Sequence, residues 1–100
     1  MRRSSARLGT LGLLIGTALA SCSADTGDFR SEAESFLRGP LVARRTGQTF
    51  ATAECAAPPS TKVDTQFHCS ATTEAGVVWD FNLVIDGTNT FRVTDYNQRA

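Results

Sequence analysis

The sequence predicts an α+β domain: an N-terminal helix packed on a small antiparallel sheet of three to four strands, with one disulfide. Three observations carry this expectation. Apolar residues first recur at helical spacing, at Phe29, Ala33, Phe36 and Leu37, and from Thr49 onward they recur with period two. Two of the three cysteines, Cys55 and Cys69, lie within the period-two region. With 100 residues, 41% of them hydrophobic and 20% charged, the chain has room for one small globular domain and no second.

Residues 1–21 differ from the rest. Arg2, Arg3 and Arg7 form a basic head, Leu8 to Ala20 is an uncharged run of 13 residues, and small residues follow. This is the three-part layout of a secretory signal. The run is shorter than the roughly 20 apolar residues that span a bilayer, and Gly9, Gly12 and Gly16 interrupt it. The pair Arg2-Arg3 lacks the hydrophobic follow-up of a twin-arginine signal, which leaves the export route open.

The run closes on Leu19-Ala20-Ser21-Cys22, an aliphatic residue, two small residues and a cysteine. This stretch resembles the lipobox of bacterial lipoproteins. The resemblance implies that the Cys22 thiol takes a diacylglyceryl group and that a signal peptidase then cuts before it. The mature protein would sit in the cell envelope, lipid-anchored on the outer side of the cytoplasmic membrane. The chemistry agrees: small residues let the backbone enter a peptidase cleft, and a thiol is a good nucleophile for accepting a lipid. One acyl chain anchors only marginally, at about 0.8 kcal/mol per buried methylene, so two or three chains would make the attachment permanent. The alternative is an ordinary cysteine behind a conventional cleavage site.

With Cys22 as the anchor, the odd cysteine count is explained. Cys55 and Cys69 remain, and in an exported chain they are expected to form one disulfide. Closing that loop should stabilise the fold by roughly 3 kcal/mol in the chain-entropy model, which matters for a core this small. Zinc fails on count, because two cysteines and His68 make three soft ligands and adjacent strand residues point to opposite faces. No metal or cofactor is therefore expected. Loss of the signal removes three of the ten basic residues and none of the ten acidic ones, leaving a net charge of about −3. Apart from Arg44-Arg45 no basic stripe remains, so nucleic acid is not an expected partner.

Residues 22–27, small and polar after Cys22, read as a tether, and 28–97 as the folded domain. In the helix, Arg30, Glu32, Glu34 and Arg38 fall off the apolar face. Asp28 is the expected N-cap, with Ser31 and Glu34 as a competing capping box. Gly39-Pro40 ends or kinks the helix, and residues 41–47 continue it for a turn or two.

Thr49 to Cys55 forms a weak first strand, followed by a Pro-containing loop. In the second strand Phe67, Cys69 and Ala71 share one face, and Gln66, His68 and Ser70 share the other. The third carries Val77, Trp79, Phe81, Leu83 and Ile85 inward and Val78, Asp80, Asn82 and Val84 outward. Phe91 and Val93 point inward from the fourth.

Side-chain parity then restricts the hairpins. Matching the apolar faces requires a three-residue loop Glu74-Ala75-Gly76 with Gly76 left-handed, which sets Cys69 opposite Phe81 and Ala71 opposite Trp79. The same test rejects a two-residue Asp86-Gly87 turn and selects Gly87-Thr88-Asn89, pairing Ile85 with Phe91 and Leu83 with Val93. Asn89 tolerates the left-handed region.

These pieces together resemble a family of small domains of unknown function found on secreted proteins and lipoproteins of actinobacteria. The matching residues are the helix around Phe29 to Leu37, Ala53-Glu54-Cys55, Phe67-His68-Cys69 and the hairpin around Trp79 to Val93. They cover about 70 of the 79 residues from Cys22 onward. The chain departs from that pattern in having Ala56 where a proline usually follows the first cysteine. It also has Asp64-Thr65-Gln66 where a glycine usually precedes Phe-x-Cys.

No Ser-His-acid grouping, phosphate-cradling glycine loop or usefully paired carboxylates stand out, so the chain is not expected to be an enzyme. The one cluster with chemical content is His68, Ser70, Asp80 and Asn82 on the outward face, which reads as a hydrogen-bonded surface. Two functions remain. The first is a lipid-anchored envelope module that binds an unidentified envelope protein or ligand through His68, Ser70, Asp80, Asn82, Arg92 and Tyr96. The second is a secreted inhibitor or accessory subunit acting through a rigid loop at 56–64. An inhibitor requires that loop to be preorganised, whereas a sheet-face binder does not.

Overall fold

The computed structural model describes residues 24–99 together with the backbone of Ile15 and Gly16. The lipobox residues Leu19, Ala20, Ser21 and Cys22 lie outside the described residues. The fold is α+β. Four long strands, β2 (Phe50–Cys55), β3 (Gln66–Thr73), β4 (Val78–Gly87) and β5 (Thr90–Gln98), form an antiparallel sheet in sequence order. Helices α1 (Thr26–Leu37) and α2 (Pro40–Thr46) precede them. A two-residue strand β1 (Ile15–Gly16), inside the stretch read as a signal, pairs antiparallel with β5 at Arg92 and Phe91.

Helix α1 begins earlier than the apolar spacing indicates. Asp25 is its N-cap, and a reciprocal capping box joins Asp25 to Asp28: the Asp28 N–H donates to Asp25 Oδ1 at 2.8 Å and the Asp25 N–H to Asp28 Oδ2 at 3.0 Å. Asp28 is thus the third residue of the first turn rather than the cap. Glu34, expected in a box with Ser31, lies too deep in the helix for that and accepts the Cys55 N–H at 2.9 Å. Of the stretch 22–27 expected to be a tether, Thr26 and Gly27 are helical, and the Ala24 N–H donates to Asn89 Oδ1 at 2.9 Å. Gly39 caps α2, Pro40 occupies its first position, where no N–H is needed, and Gly47 ends it in the left-handed region at φ 77°.

The core lies between α1 and one face of the sheet. Phe29, Ala33 and Leu37 from α1 and Val42 from α2 join Phe67, Cys69, Ala71, Phe81, Leu83, Ile85, Phe91 and Val93, all buried. Phe36 meets Phe91 edge-on at 5.7 Å, and Phe50 meets Phe81 edge-on at 5.5 Å. Trp79 packs on the margin of this core and is partly exposed.

The β3–β4 register is the one required by parity, with Cys69 opposite Phe81, Ala71 opposite Trp79 and Gly76 left-handed at φ 88°. In the next hairpin Ile85 pairs with Phe91 and Leu83 with Val93, as expected, and Asn89 is left-handed at φ 60°. The turn is tighter than a three-residue loop, since Gly87 pairs with Thr90 and a register shift between Ile85 and Gly87 takes up the odd residue.

Two further strand irregularities depart from the simple alternation. In β2 the register shifts between Phe50 and Thr52, which lets both Phe50 and Ala53 face the core. In β5 it shifts again: Leu83 pairs with Val93 but Asn82 pairs with Asp95, so Thr94 is an extra residue. The Thr94 hydroxyl donates to the Asn82 carbonyl at 3.0 Å. Every residue beyond this bulge changes face.

Candidate functional site

The sheet face away from the helices carries a polar strip built row by row from the register. Ser70 lies opposite Asp80, His68 opposite Asn82, and Val84 between Gln66 and Arg92. Beyond the β5 bulge, Asn82 faces Asp95 and Asp80 faces Asn97. Arg99 closes the strip with a bidentate contact to Asp80, Nη2 to Oδ1 at 2.6 Å and Nε to Oδ2 at 3.2 Å. His68 sits between two neighbours, its Nε2 at 3.5 Å from Asp80 Oδ1 and its Nδ1 at 3.3 Å from Asn82 Oδ1. The Asn82 amide then donates to Asp95 Oδ1 at 2.8 Å.

The result is a continuous chain, Arg99–Asp80–His68–Asn82–Asp95, across three strands. Hydrogen bonding from Arg99 holds the Asp80 carboxyl below its ordinary value, partial burial opposes this, and the charges of Arg99 and His68 act with the hydrogen bond. His68 and Arg99 remain just over half exposed, at 53% and 54% of their side-chain surface, so donors and acceptors are open to a partner along the strip.

Five of the six residues expected on this face are on it. Tyr96 is not. The bulge at Thr94 turns it to the helix side, where its ring lies 5.9 Å from Trp79 and 5.7 Å from Phe81 and its hydroxyl donates to the Arg45 carbonyl at 3.3 Å. Asp95 and Arg99 take part instead, and sequence reasoning missed both. A signal was present: an unbroken register would set Asp95 opposite Phe81 in the core and leave Tyr96 in solvent, a costly arrangement that a one-residue bulge relieves. Arg92 is on the face but turns toward Asp86, with Nε at 3.8 Å from Oδ2. Val84 is on it as well, yet only 7% exposed.

A second feature lies at the end of the sheet where the chain enters the domain. The segment between Cys55 and Gln66 is tied down along its length. At its start Cys55 is bonded to Cys69, directly opposite it in the ladder, and the Ala56 N–H donates to the His68 carbonyl at 2.9 Å. At its end the Asp64 N–H donates to the Ile85 carbonyl at 2.7 Å, and the Ile85 N–H to the Thr65 carbonyl at 2.9 Å. Within it Pro58 is buried and the Ser60 and Thr65 hydroxyls meet at 2.8 Å. Asp64 is left-handed at φ 76°, a conformation that non-glycine residues seldom adopt. Val63 projects from this loop 55% exposed. A recess of about 300 Å³ opens beside it, lined by Ala24, Phe29, Lys62, Val63, Thr88 and Asn89 among others.

The Cys55–Cys69 bond suits an oxidising, exported environment. Among the described residues no helix is long and apolar enough to cross a membrane. Among the same residues no three His, Cys, Asp or Glu side chains are grouped to hold a metal ion. The chain matches no protein-family model, no curated protein and no solved structure.

Proposed function

We propose that the protein is a lipid-anchored module of the cell envelope that holds an envelope protein or ligand against the outer strip of its sheet. One observation carries the reading: the lipobox-like Leu19-Ala20-Ser21-Cys22 stands immediately ahead of a disulfide-closed domain whose first helix is capped at Asp25. The resemblance of the folded part, from the helix around Phe29 to the hairpin around Trp79 to Val93, to domains on actinobacterial secreted proteins and lipoproteins supports it separately. The role is binding rather than catalysis. Asp80, the carboxylate nearest His68, is already engaged by Arg99, and His68 faces Asn82 on its other side.

The second reading, an inhibitor or accessory subunit acting through residues 56–64, has one observation in its favour: that loop is ordered by hydrogen bonds and the disulfide at its base. A single experiment addresses the anchoring. The full chain and its Cys22→Ser variant are expressed in a bacterial host that processes lipoproteins, and the cells are fractionated. The parent chain is expected in the membrane and detergent phases, and the variant in the aqueous phase. Identical partitioning of the two overturns the reading.

A further inference from the structure

We propose that the end of the domain carrying Lys62, Val63 and Thr88 is a membrane-contact surface, with Val63 entering the lipid interface and fixing how the domain stands on the bilayer. The inference rests on attachment at Cys22. Only Ser23 separates Cys22 from Ala24, so two steps along the chain keep the anchoring residue's backbone within about 7 Å of the Ala24 backbone. The Ala24 N–H is bonded to Asn89 Oδ1, at the tip of the β4–β5 hairpin. The same recess brings Ala24 together with Lys62, Val63 and Thr88. An anchor at residue 22 therefore delivers this end of the sheet, and no other, to the lipid surface.

The chemistry of that end fits an interface. Val63 is 55% exposed, the more exposed of two large apolar side chains open to solvent among the described residues. Next to it stands Lys62, the only lysine of the chain, whose apolar stem can lie along lipid while its ammonium reaches a phosphate. Asp25, Asp28 and Asp64 lie around this end; the carboxylates of Asp25 and Asp28 are turned onto backbone N–H groups at the start of α1, while Asp64 beside Val63 is exposed, so the lipid surface that fits is zwitterionic rather than anionic. The rigid backbone of 56–65 holds Val63 out at low ordering cost on contact.

Two consequences separate this from the inhibitor reading. The 56–64 loop faces lipid rather than a soluble partner, and the outer strip of the sheet stands free beside the membrane.

The test uses tryptophan position. The native Trp79 lies six residues along β4 from Ile85, the residue bonded to Asp64 and Thr65, which is about 20 Å at the rise of a strand. The full chain carrying Val63→Trp and Trp79→Phe is purified from host membranes and placed in phosphatidylcholine vesicles with and without bromines on the upper acyl chain. Should the host product lack lipid, the Cys22 thiol is coupled to a maleimide phospholipid, so attachment at residue 22 is supplied in either case. Interfacial burial of roughly 5–10 Å brings the introduced indole to the bromines, so its emission should fall by about twofold or more. The parent chain, with Trp79 alone, should be unaffected. Thr88→Trp in the same background, a second reporter at this end, should be quenched as well. Unquenched emission from both reporters, or equal quenching of Trp79, overturns the proposal. The mass of the N-terminal peptide from the same host reports lipidation separately, so an unlipidated product counts against the anchoring and not against the contact surface.

Discussion

Tyr96 is the residue on which the two possible registers of β5 differ most, and its removal gives a quantitative test. Complete burial of an aromatic ring makes its truncation cost about 3–5 kcal/mol. Tyr96 is half-buried against Trp79 and Phe81, and its hydroxyl makes one long bond to the Arg45 carbonyl. Half of the burial value plus a bond contributing under about 1 kcal/mol gives roughly 2–3 kcal/mol for Tyr96→Ala. A domain of this size has about 4–11 kcal/mol in total, so the loss should be plain in urea denaturation followed by far-ultraviolet circular dichroism. Asp95→Ala, on the exposed strip, should stay within about 0.5 kcal/mol. An unbulged strand would reverse both results: Tyr96→Ala would be nearly silent, and Asp95→Ala would stabilise by removing a carboxylate from the core. Deleting Thr94 sharpens the test. The pairs Leu83–Val93, Asn82–Asp95 and Phe81–Tyr96 then follow one another without interruption. The deletion should cost only the Thr94–Asn82 bond, about 1 kcal/mol, while global unfolding would refute the bulge.

Three further outcomes follow from the packing and the charges. Alkylation of the unreduced protein should label neither Cys55 nor Cys69, and reduction should lower stability by about 3 kcal/mol for this ring size, read as a shift in the urea midpoint. The Trp79 Nε1–H is buried without a hydrogen-bond partner, so Trp79→Phe should cost less than about 1.5 kcal/mol by thermal melting, because the lost contacts are offset by removal of an unsatisfied donor. Asp80 has a folded pKa below its ordinary value of 3.8, so its contribution is present above that value and is lost as pH falls through the folded one. Arg99→Gln should raise the Asp80 titration seen by carboxyl NMR and move acid unfolding to higher pH. An unchanged Asp80 titration would show that the bidentate contact does not form in solution.

Much of the fold was legible because period-two patterning and parity are strict. Once Phe67, Cys69 and Ala71 are matched to Trp79, Phe81 and Leu83, only loops of odd length keep both apolar faces together, and the observed pairs follow. The apolar stripe places the start of α1 too late, because it begins at Phe29, whereas the first turn is set by Asp25 and Asp28, which bond to backbone and leave no mark in hydrophobic spacing. The same limit applies to β5. Parity carries a register along a strand until an extra residue intervenes, and Thr94 placed Tyr96 on the wrong face and hid Asp95 and Arg99 from the strip. His68, Ser70, Asp80 and Asn82 lie on strands β3 and β4 with no bulge between them, so alternation alone sets all four on one face. Val84 shows a different limit. Its direction was right, but a central position between Gln66 and Arg92 leaves it 7% exposed, and alternation says nothing about how neighbouring stems cover a side chain.

The intact mass of the N-terminal peptide, taken from protein made in a lipoprotein-processing bacterial host, bears most directly on the anchored-module reading. A peptide beginning at Cys22 with an added diacylglyceryl group is expected, while Cys55 and Cys69 are recovered as one disulfide-linked peptide pair. A peptide that begins elsewhere, or a Cys22 found as an unmodified thiol, would contradict lipid attachment at this residue.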